Sequence, residues 1–251
     1  MSTQPLRVLI TGASSGIGEA LAEGYARRGA RVFAAGRSQD KLQLLAARLA
    51  PATVIPLIMD VTDETSVAAA ASRMGADTGA LDLVIHAAGD CRYIDDGALE
   101  PTVMRAMLET NVMGAVHLLT SMRPLLAAGR DPWIYLVSSA AIHFPFPRAE
   151  AYGASKAALS YLARSLRTDW EPYGISVGLI EPGFVDTPLT RRNDFAMPTL
   201  LPVADAAARI MRGIDHKRYE IRFPLRLMAM LRWLQHLPLT VQRAAARRMR
   251  R

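Results

Sequence analysis

Leu6-Arg7-Val8-Leu9-Ile10-Thr11-Gly12-Ala13-Ser14-Ser15-Gly16-Ile17-Gly18 is the stretch that decides how this chain folds. Its first five residues form a short apolar run of the kind that becomes a buried strand. The run leads directly into a glycine-rich turn, and a helical pattern follows from Glu19 to Gly29. Glycines there permit a tight turn, close approach of the backbone to a phosphate, and close packing of helix on strand. A helix that starts at this point offers unpaired amides and the positive end of its dipole, which suits a pyrophosphate. The spacing is G-x-x-x-G-x-G rather than the commoner G-x-G-x-x-G. The strand before it and the helix after it supply the context such a motif needs.

Outward from this unit the pattern repeats. Apolar runs near 6-10, 31-35, 53-59, 81-86, 132-138 and 175-180 read as parallel strands. Helical patterns fall near 16-29, 38-50, 63-75, 101-128, 152-173 and 202-213. The alternation predicts an α/β fold, a Rossmann-type doubly wound parallel sheet in a single domain. That domain spans 1-222, and 223-251 reads as a basic amphipathic C-terminal helical extension. Gly12, Gly36, Asp60, Gly89, Ser139 and Pro182 each follow a strand, so the fold gathers them on the rim where ligands bind. A chain of 251 residues with 51% hydrophobic and 21% charged residues excludes a disordered protein. Cys91 is the single cysteine, which excludes an intramolecular disulfide. Nothing in Met1 to Pro5 resembles a signal peptide, so a cytoplasmic, reducing setting is expected. The five histidines and one cysteine show no metal-ligand spacing.

Tyr152 and Lys156, in Ala151-Tyr152-Gly153-Ala154-Ser155-Lys156, lie four apart and therefore on one helix face. An ammonium beside a phenol favours the phenolate and lowers the tyrosine from its ordinary value of about 10. The pair then reads as a proton donor and acceptor usable near neutral pH.

Taken together, these motifs resemble the short-chain dehydrogenase/reductase family in its single-domain form, over residues 5 to 222. Gly12, Ser14, Ser15, Gly16, Ile17 and Gly18 resemble its cofactor glycine motif. Asp60, with Val61, resembles the acid that contacts the adenine ring. His86-Ala87-Ala88-Gly89 sits where the family usually carries Asn-Asn-Ala-Gly, so Ala88 and Gly89 fall on the cofactor and His86 is a departure, read as a local strand-end hydrogen bond. Pro182, Gly183, Val185 and Thr187 resemble the segment holding the nicotinamide end. Ser139, thirteen residues before Tyr152, has the family's serine-to-tyrosine spacing, and Asn111 falls where the family has its asparagine. The resemblance implies that Tyr152 exchanges a proton with the substrate oxygen. It implies that Lys156 tunes Tyr152 and reaches the nicotinamide ribose, that Ser139 steadies the oxygen, and that Asn111 holds a water linking Lys156 to solvent. The adjoining Ser138 reads as the end of the strand. The implied reaction is hydride transfer between a carbonyl and a secondary alcohol. The alternative is a non-catalytic dinucleotide-binding sensor or membrane-tethered scaffold. The resemblance also implies a homo-oligomer, through the long helices near 101-128 and 152-173.

The second strand bears on the cofactor. It ends in Gly36-Arg37-Ser38, with no carboxylate to bind adenosine ribose hydroxyls and repel a 2′-phosphate. Arg37 carries a guanidinium suited to phosphate, so NADP(H) is expected over NAD(H). Phe144 and Phe146, with Pro145 and Pro147, suggest an apolar pocket wall, and His143 a polar one. The expected substrate is therefore an apolar ketone or alcohol, with 187-201 in the place of a mobile substrate loop.

The charge is lopsided. Residues 1-215 hold 20 basic and 22 acidic side chains, whereas 216-251 hold 10 basic and one acidic, so the tail supplies the whole net +7. From Phe223 to Leu237 apolar residues cover a wide helical arc, interrupted by Arg226 and Arg232, and Arg243, Arg247, Arg248, Arg250 and Arg251 follow Pro238. Two readings of 224-251 stand side by side. One is an interfacial helix on an anionic membrane surface, which would make the protein peripheral at the inner face of a membrane. The other is an extension packed on its own subunit or a partner. The basic run lacks interleaved aromatics and a reading motif, which argues against nucleic acid.

Overall fold

Apolar runs too short for helices become the strands of one sheet. The computed structural model of the chain describes residues 4–249. Its strands are β1 (Arg7–Thr11), β2 (Arg31–Gly36), β3 (Val54–Ile58), β4 (Leu83–His86), β5 (Trp133–Val137), β6 (Ser176–Pro182) and β7 (Glu220–Phe223). They lie in the order β3-β2-β1-β4-β5-β6-β7, and every neighbouring pair is parallel. The chain folds as the single Rossmann-type domain that the alternation predicts.

Strand side chains alternate between two cores, because successive residues point to opposite faces. Val8, Ile10, Val32, Ala34, Leu83, Ile85 and Tyr135 pack beneath α1 (Gly16–Arg27), α2 (Gln39–Leu49) and α7 (Val203–Asp215). Leu9, Phe33, Ala35, Val84, Ile134 and Leu136 pack beneath α3 (Glu64–Thr78), α5 (Gly114–Ala127) and α6 (Glu150–Trp170). Both faces are covered, so the interiors of the central strands β1, β2, β4 and β5 run apolar rather than alternating with polar residues, whereas the edge strand β7 alternates.

Two features depart from the expected helices. The helix predicted over 101-128 is α4 (Pro101–Leu108) and α5, joined by a π turn at Glu109–Met113. The turn holds Asn111, whose side chain is fastened to a neighbouring loop; such widened turns recur at functional sites. The tail forms two helices, α8 (Leu225–Leu234) and α9 (Leu239–Arg248), where the sequence predicts one followed by a basic run. Pro224 and Pro238 stand immediately before them, a position that needs no intrahelical N–H. Arg250 and Arg251 of the basic run, and Met1 to Thr3 of the amino end, lie outside the described residues.

Candidate active site

Because the strands are parallel, their carboxyl ends share one rim, and α6 runs past it. Tyr152 and Lys156 occupy the first turns of α6. Lys156 is buried, and its Nζ donates to the Val137 carbonyl at 2.9 Å, 5.9 Å from the centre of the Tyr152 ring. Asn111, fully buried, uses its whole amide. Oδ1 accepts from Asp90 N at 3.0 Å, and Nδ2 donates to Asp90 O at 3.0 Å and to Ser155 Oγ at 2.9 Å. Ser155 Oγ in turn donates to the Tyr152 carbonyl at 2.8 Å. The π turn is thereby tied to the first turn of α6. Ser139 heads a 3-10 turn (Ala140–His143), its Oγ accepting from Ala141 N at 3.1 Å. Ser138 points the other way, beneath α6, bonding Lys156 O at 3.0 Å and Ser160 Oγ at 2.6 Å.

Burial pushes the Tyr152 phenol well above its ordinary value; the nearby Cys91 adds to this and the Ser139 hydroxyl opposes it. Burial also draws Lys156 down, to about 8. This corrects the expectation that the lysine lowers the tyrosine. The ammonium is turned to Val137 O, and removing the phenol from water is the larger effect. The phenol is therefore protonated at neutral pH.

The glycine motif is a close-fitted cradle. Gly12 has φ +67°, and a Cβ there would meet the backbone of Ala87 and Ala88 at 2.9 Å, so only glycine fits. Ser15 precedes α1 without capping it by its side chain, so the first amides at Gly16, Ile17 and Gly18 remain for an anionic group. The Ser14 hydroxyl stands over Gly36, and Arg37 beside it is exposed, with no ion-pair partner among the described residues. Asp60 Oδ1 accepts from Thr62 N and Oγ1 at 3.0 and 2.9 Å, which fixes the β3 loop. Val61, buried, accepts from His117 Nδ1 at 3.0 Å. Ala88 N donates to Thr11 Oγ1 at 3.0 Å, and Thr11 in turn bonds His86 Nδ1 at 3.0 Å, the local contact expected of that histidine. Gly89 lies against Asn111 Oδ1 and Lys156 Nζ. Pro182 ends β6, and Gly183 N donates to Phe223 O at 2.8 Å. A Cβ at Gly183 would meet Leu227 of α8 at 2.9 Å, so the tail packs directly on this segment. Val185 and Thr187 are buried and held by Thr190, whose Oγ1 donates to Val185 O and accepts from Thr187 N. The glycine turn and the uncapped amides of α1 would hold the phosphates of a dinucleotide, the group whose nicotinamide would supply hydride chemistry.

Ser139 and Tyr152 open into a cavity of about 610 Å³ lined by Cys91, Tyr93, Phe146, Phe184 and Phe195, with α8 and α9 closing one side. Phe146 stands on its wall as expected; His143 and Phe144 do not. Phe144 is buried behind the wall against Ala140, Leu227 and Leu231. His143 turns away, its Nε2 donating to Glu181 Oε2 at 2.8 Å. The cause lies in the backbone: a 3-10 turn separates successive side chains by about 120°, which turns His143 away, and the chain becomes extended at Phe144, which directs that ring behind the wall. Tyr93 and Cys91 give no sequence signal, because the loop after β4 is irregular; burial raises the Cys91 thiol to about 11.

Glu181 is the other residue that sequence reasoning misses. It is fully buried between β5 and β7, just before Pro182. Oε1 accepts from Arg164 at 2.7 Å, and Oε2 from His143 at 2.8 Å and Arg222 at 2.6 Å. It joins the serine turn, α6, β7 and the Pro182-Gly183 end of β6 at one carboxylate.

Known proteins share this sequence pattern and this fold. Residues 7–196 match the family described as short chain dehydrogenase. An uncharacterized oxidoreductase of Myxococcus xanthus is 39% identical over 244 residues, 96% of each chain. A Burkholderia cenocepacia short chain dehydrogenase, crystallised with NADP, superposes with a TM-score of 0.82 at 26% identity, over 99% of both chains. A Burkholderia phymatum short chain dehydrogenase/reductase, crystallised with NAD, has the same fold with a TM-score of 0.82 at 24% identity, over 92% of this chain and 94% of that one.

Proposed function

Since the chain belongs to the short-chain dehydrogenase/reductase family, oxidoreductases that bind NAD(P), we propose that it interconverts an apolar carbonyl compound and its secondary alcohol with NADP(H). The observation that carries this reading is the placement of Ser139 and Tyr152 on the wall of one apolar cavity, with Lys156 and Asn111 buried directly behind. When bound, the nicotinamide supplies or accepts the hydride. Tyr152, protonated at neutral pH, gives its proton to the carbonyl oxygen, and the Ser139 hydroxyl donates to the same oxygen as charge develops on it. Lys156 and Asn111 hold the α6 turn and the π turn in register behind the phenol. The apolar wall excludes water and favours an apolar substrate.

Gly36 and Arg37 support NADP(H): no carboxylate stands at the end of β2 to oppose a 2′-phosphate, the Ser14 hydroxyl lies against Gly36, and the next residue, Arg37, is exposed with no ion-pair partner among the described residues. The Burkholderia cenocepacia protein was crystallised with NADP. A charge-assisted hydrogen bond contributes about 1.5–3 kcal/mol, so Arg37→Ala weakens NADPH binding roughly ten- to a hundredfold and leaves NADH unchanged. Fluorescence titration with both cofactors reads this; equal loss for both would remove Arg37 from the 2′-phosphate. The function itself is tested by following NADPH absorbance with a panel of apolar ketones and aldehydes. Consumption dependent on carbonyl is expected, and binding of NADPH with no consumption across the panel would leave a non-catalytic dinucleotide binder.

A further inference from the structure

The tail does two things at once. It helps to build the cavity: Leu227, Met230 and Leu231 of α8, Arg248 of α9 and Met249 after it all line the space above Tyr152. It also presents apolar side chains to solvent: Leu225 is 73% exposed, Trp233 63% and Leu239 68%. Leu225, Ala229 and Trp233 recur at a spacing of four along one outward face of α8, with Arg226 and Arg232 beside them. Met230 and Met249 are both exposed and both part of the cavity wall, so they stand at its mouth. The exposed apolar patch and the cavity opening are therefore continuous.

The surrounding charge has one sign. No acidic residue follows Glu220 in the chain. Arg226, Arg232, Arg243, Arg247 and Arg248 are exposed, and none has an ion-pair partner among the described residues. Elsewhere several arginines are neutralised by an acid brought in by the fold, as Arg28 is by Asp215 and Arg31 by Asp77. An apolar stripe with tryptophan, ringed by unneutralised arginines, complements an anionic lipid surface: the rings and aliphatic chains enter the acyl boundary while the guanidiniums meet phosphate. No helix among the described residues is long and apolar enough to cross a membrane, and α8 has 10 residues, which suits lying in the interface.

We propose that α8 and α9 seat the protein on an anionic phospholipid surface with the cavity mouth turned to the bilayer, and that the substrate is an apolar carbonyl or alcohol drawn from the lipid phase. The docking stands on the tail alone; the substrate half rests on the oxidoreductase reading.

The test uses the full chain with phosphatidylcholine vesicles, with and without phosphatidylserine, some carrying brominated acyl chains. The chain is expected to float only with the anionic vesicles and to have its tryptophan emission quenched by bromine. Trp233→Phe removes that quenching, since Trp133 and Trp170 are buried. Replacing Arg226, Arg243 and Arg247 together by Gln lowers vesicle binding roughly a hundredfold. The same variant turns over a vesicle-dissolved long-chain ketone more slowly in proportion, and a water-soluble ketone at the parent rate. Failure to bind anionic vesicles overturns the docking, as does binding unchanged by the three replacements, or binding without quenching. So does a concentration-dependent oligomer that Trp233→Glu dissolves in a protein that ignores vesicles, which would give the patch to a second copy of the chain. Equal slowing on both ketones overturns the bilayer route. Binding and quenching with no turnover of either ketone supports the docking and sinks the oxidoreductase reading instead.

Discussion

Tyr152→Phe lowers carbonyl turnover by about 10²–10⁴-fold, the range carried by a positioned general acid, and leaves NADPH affinity nearly unchanged. The substitution removes one oxygen and its proton. The ring still packs in the first turn of α6, and no hydrogen bond that holds the fold passes through the phenol: Asn111, Ser155 and Lys156 are fixed through backbone and amide contacts. The loss falls on kcat, since the proton is needed only as the carbonyl oxygen gains charge. Steady-state kinetics with a cofactor titration separates the outcomes. A variant that retains more than about a tenth of parent turnover would exclude Tyr152 as the acid, because general acid catalysis contributes at least about a hundredfold.

The second large effect is on stability. Glu181→Ala leaves His143, Arg164 and Arg222 converging on a vacated carboxylate position in the interior. Breaking a buried ion pair from one side costs about 3–5 kcal/mol. Arg164 is 40% exposed and Arg222 25%, so both can turn partly to water, which places the loss near about 3 kcal/mol. For a domain of this size that lowers Tm by roughly 6–12 °C. Burial alone raises the Glu181 carboxyl, but the hydrogen bonds from His143 and Arg222 and the Arg222 charge outweigh it, so the folded value lies below the ordinary one. A depressed folded value stabilises the protein above the ordinary glutamate range and ceases to do so as pH falls through the folded value. The gap in Tm between parent and variant is therefore full at neutral pH and narrows in acid. Matched melts across that range read it, and a gap that widens in acid would show the carboxylate to be a net cost. Turnover drops as well, since Glu181 ties the Ser139 turn to the Pro182-Gly183 segment.

The strands, the sheet and the glycine cradle were legible in the sequence because each rests on local pattern. Val8-Leu9-Ile10 followed by Gly12 carries its own context, and parallel pairing follows from the helices between strands. Tyr152, Lys156 and Ser139 were legible as positions because a regular helix and a strand end fix where they point. His143 and Phe144 were not, since their facing depends on a short 3-10 turn and on the extended residue that ends it. Asn111 was placed in a continuous helix, whereas the backbone widens there so that its amide can reach Asp90. Glu181 left a usable signal, a lone acid inside Gly178-Leu179-Ile180-Glu181-Pro182. An acid in a buried strand requires cations from elsewhere, but Arg164 and Arg222 lie 17 and 41 residues away, and only the fold brings them in. The helix after Pro238 was hidden by its arginines; it packs through the small Ala245 and Ala246 against the α8 cluster, and Gln242 Nε2 donates to the Gln235 and Leu237 carbonyls.

The central claim is that this rim carries hydride chemistry on a carbonyl carbon. It is tested most directly by incubating the protein with NADPH deuterated at the reactive position of the nicotinamide and an apolar ketone, then examining the alcohol by mass spectrometry. One deuterium on the carbinol carbon is expected with the parent chain, and at least about a hundredfold less labelled alcohol in the same time with Tyr152→Phe. Alcohol formed without the label, or an unconverted ketone in the presence of bound cofactor, would contradict it.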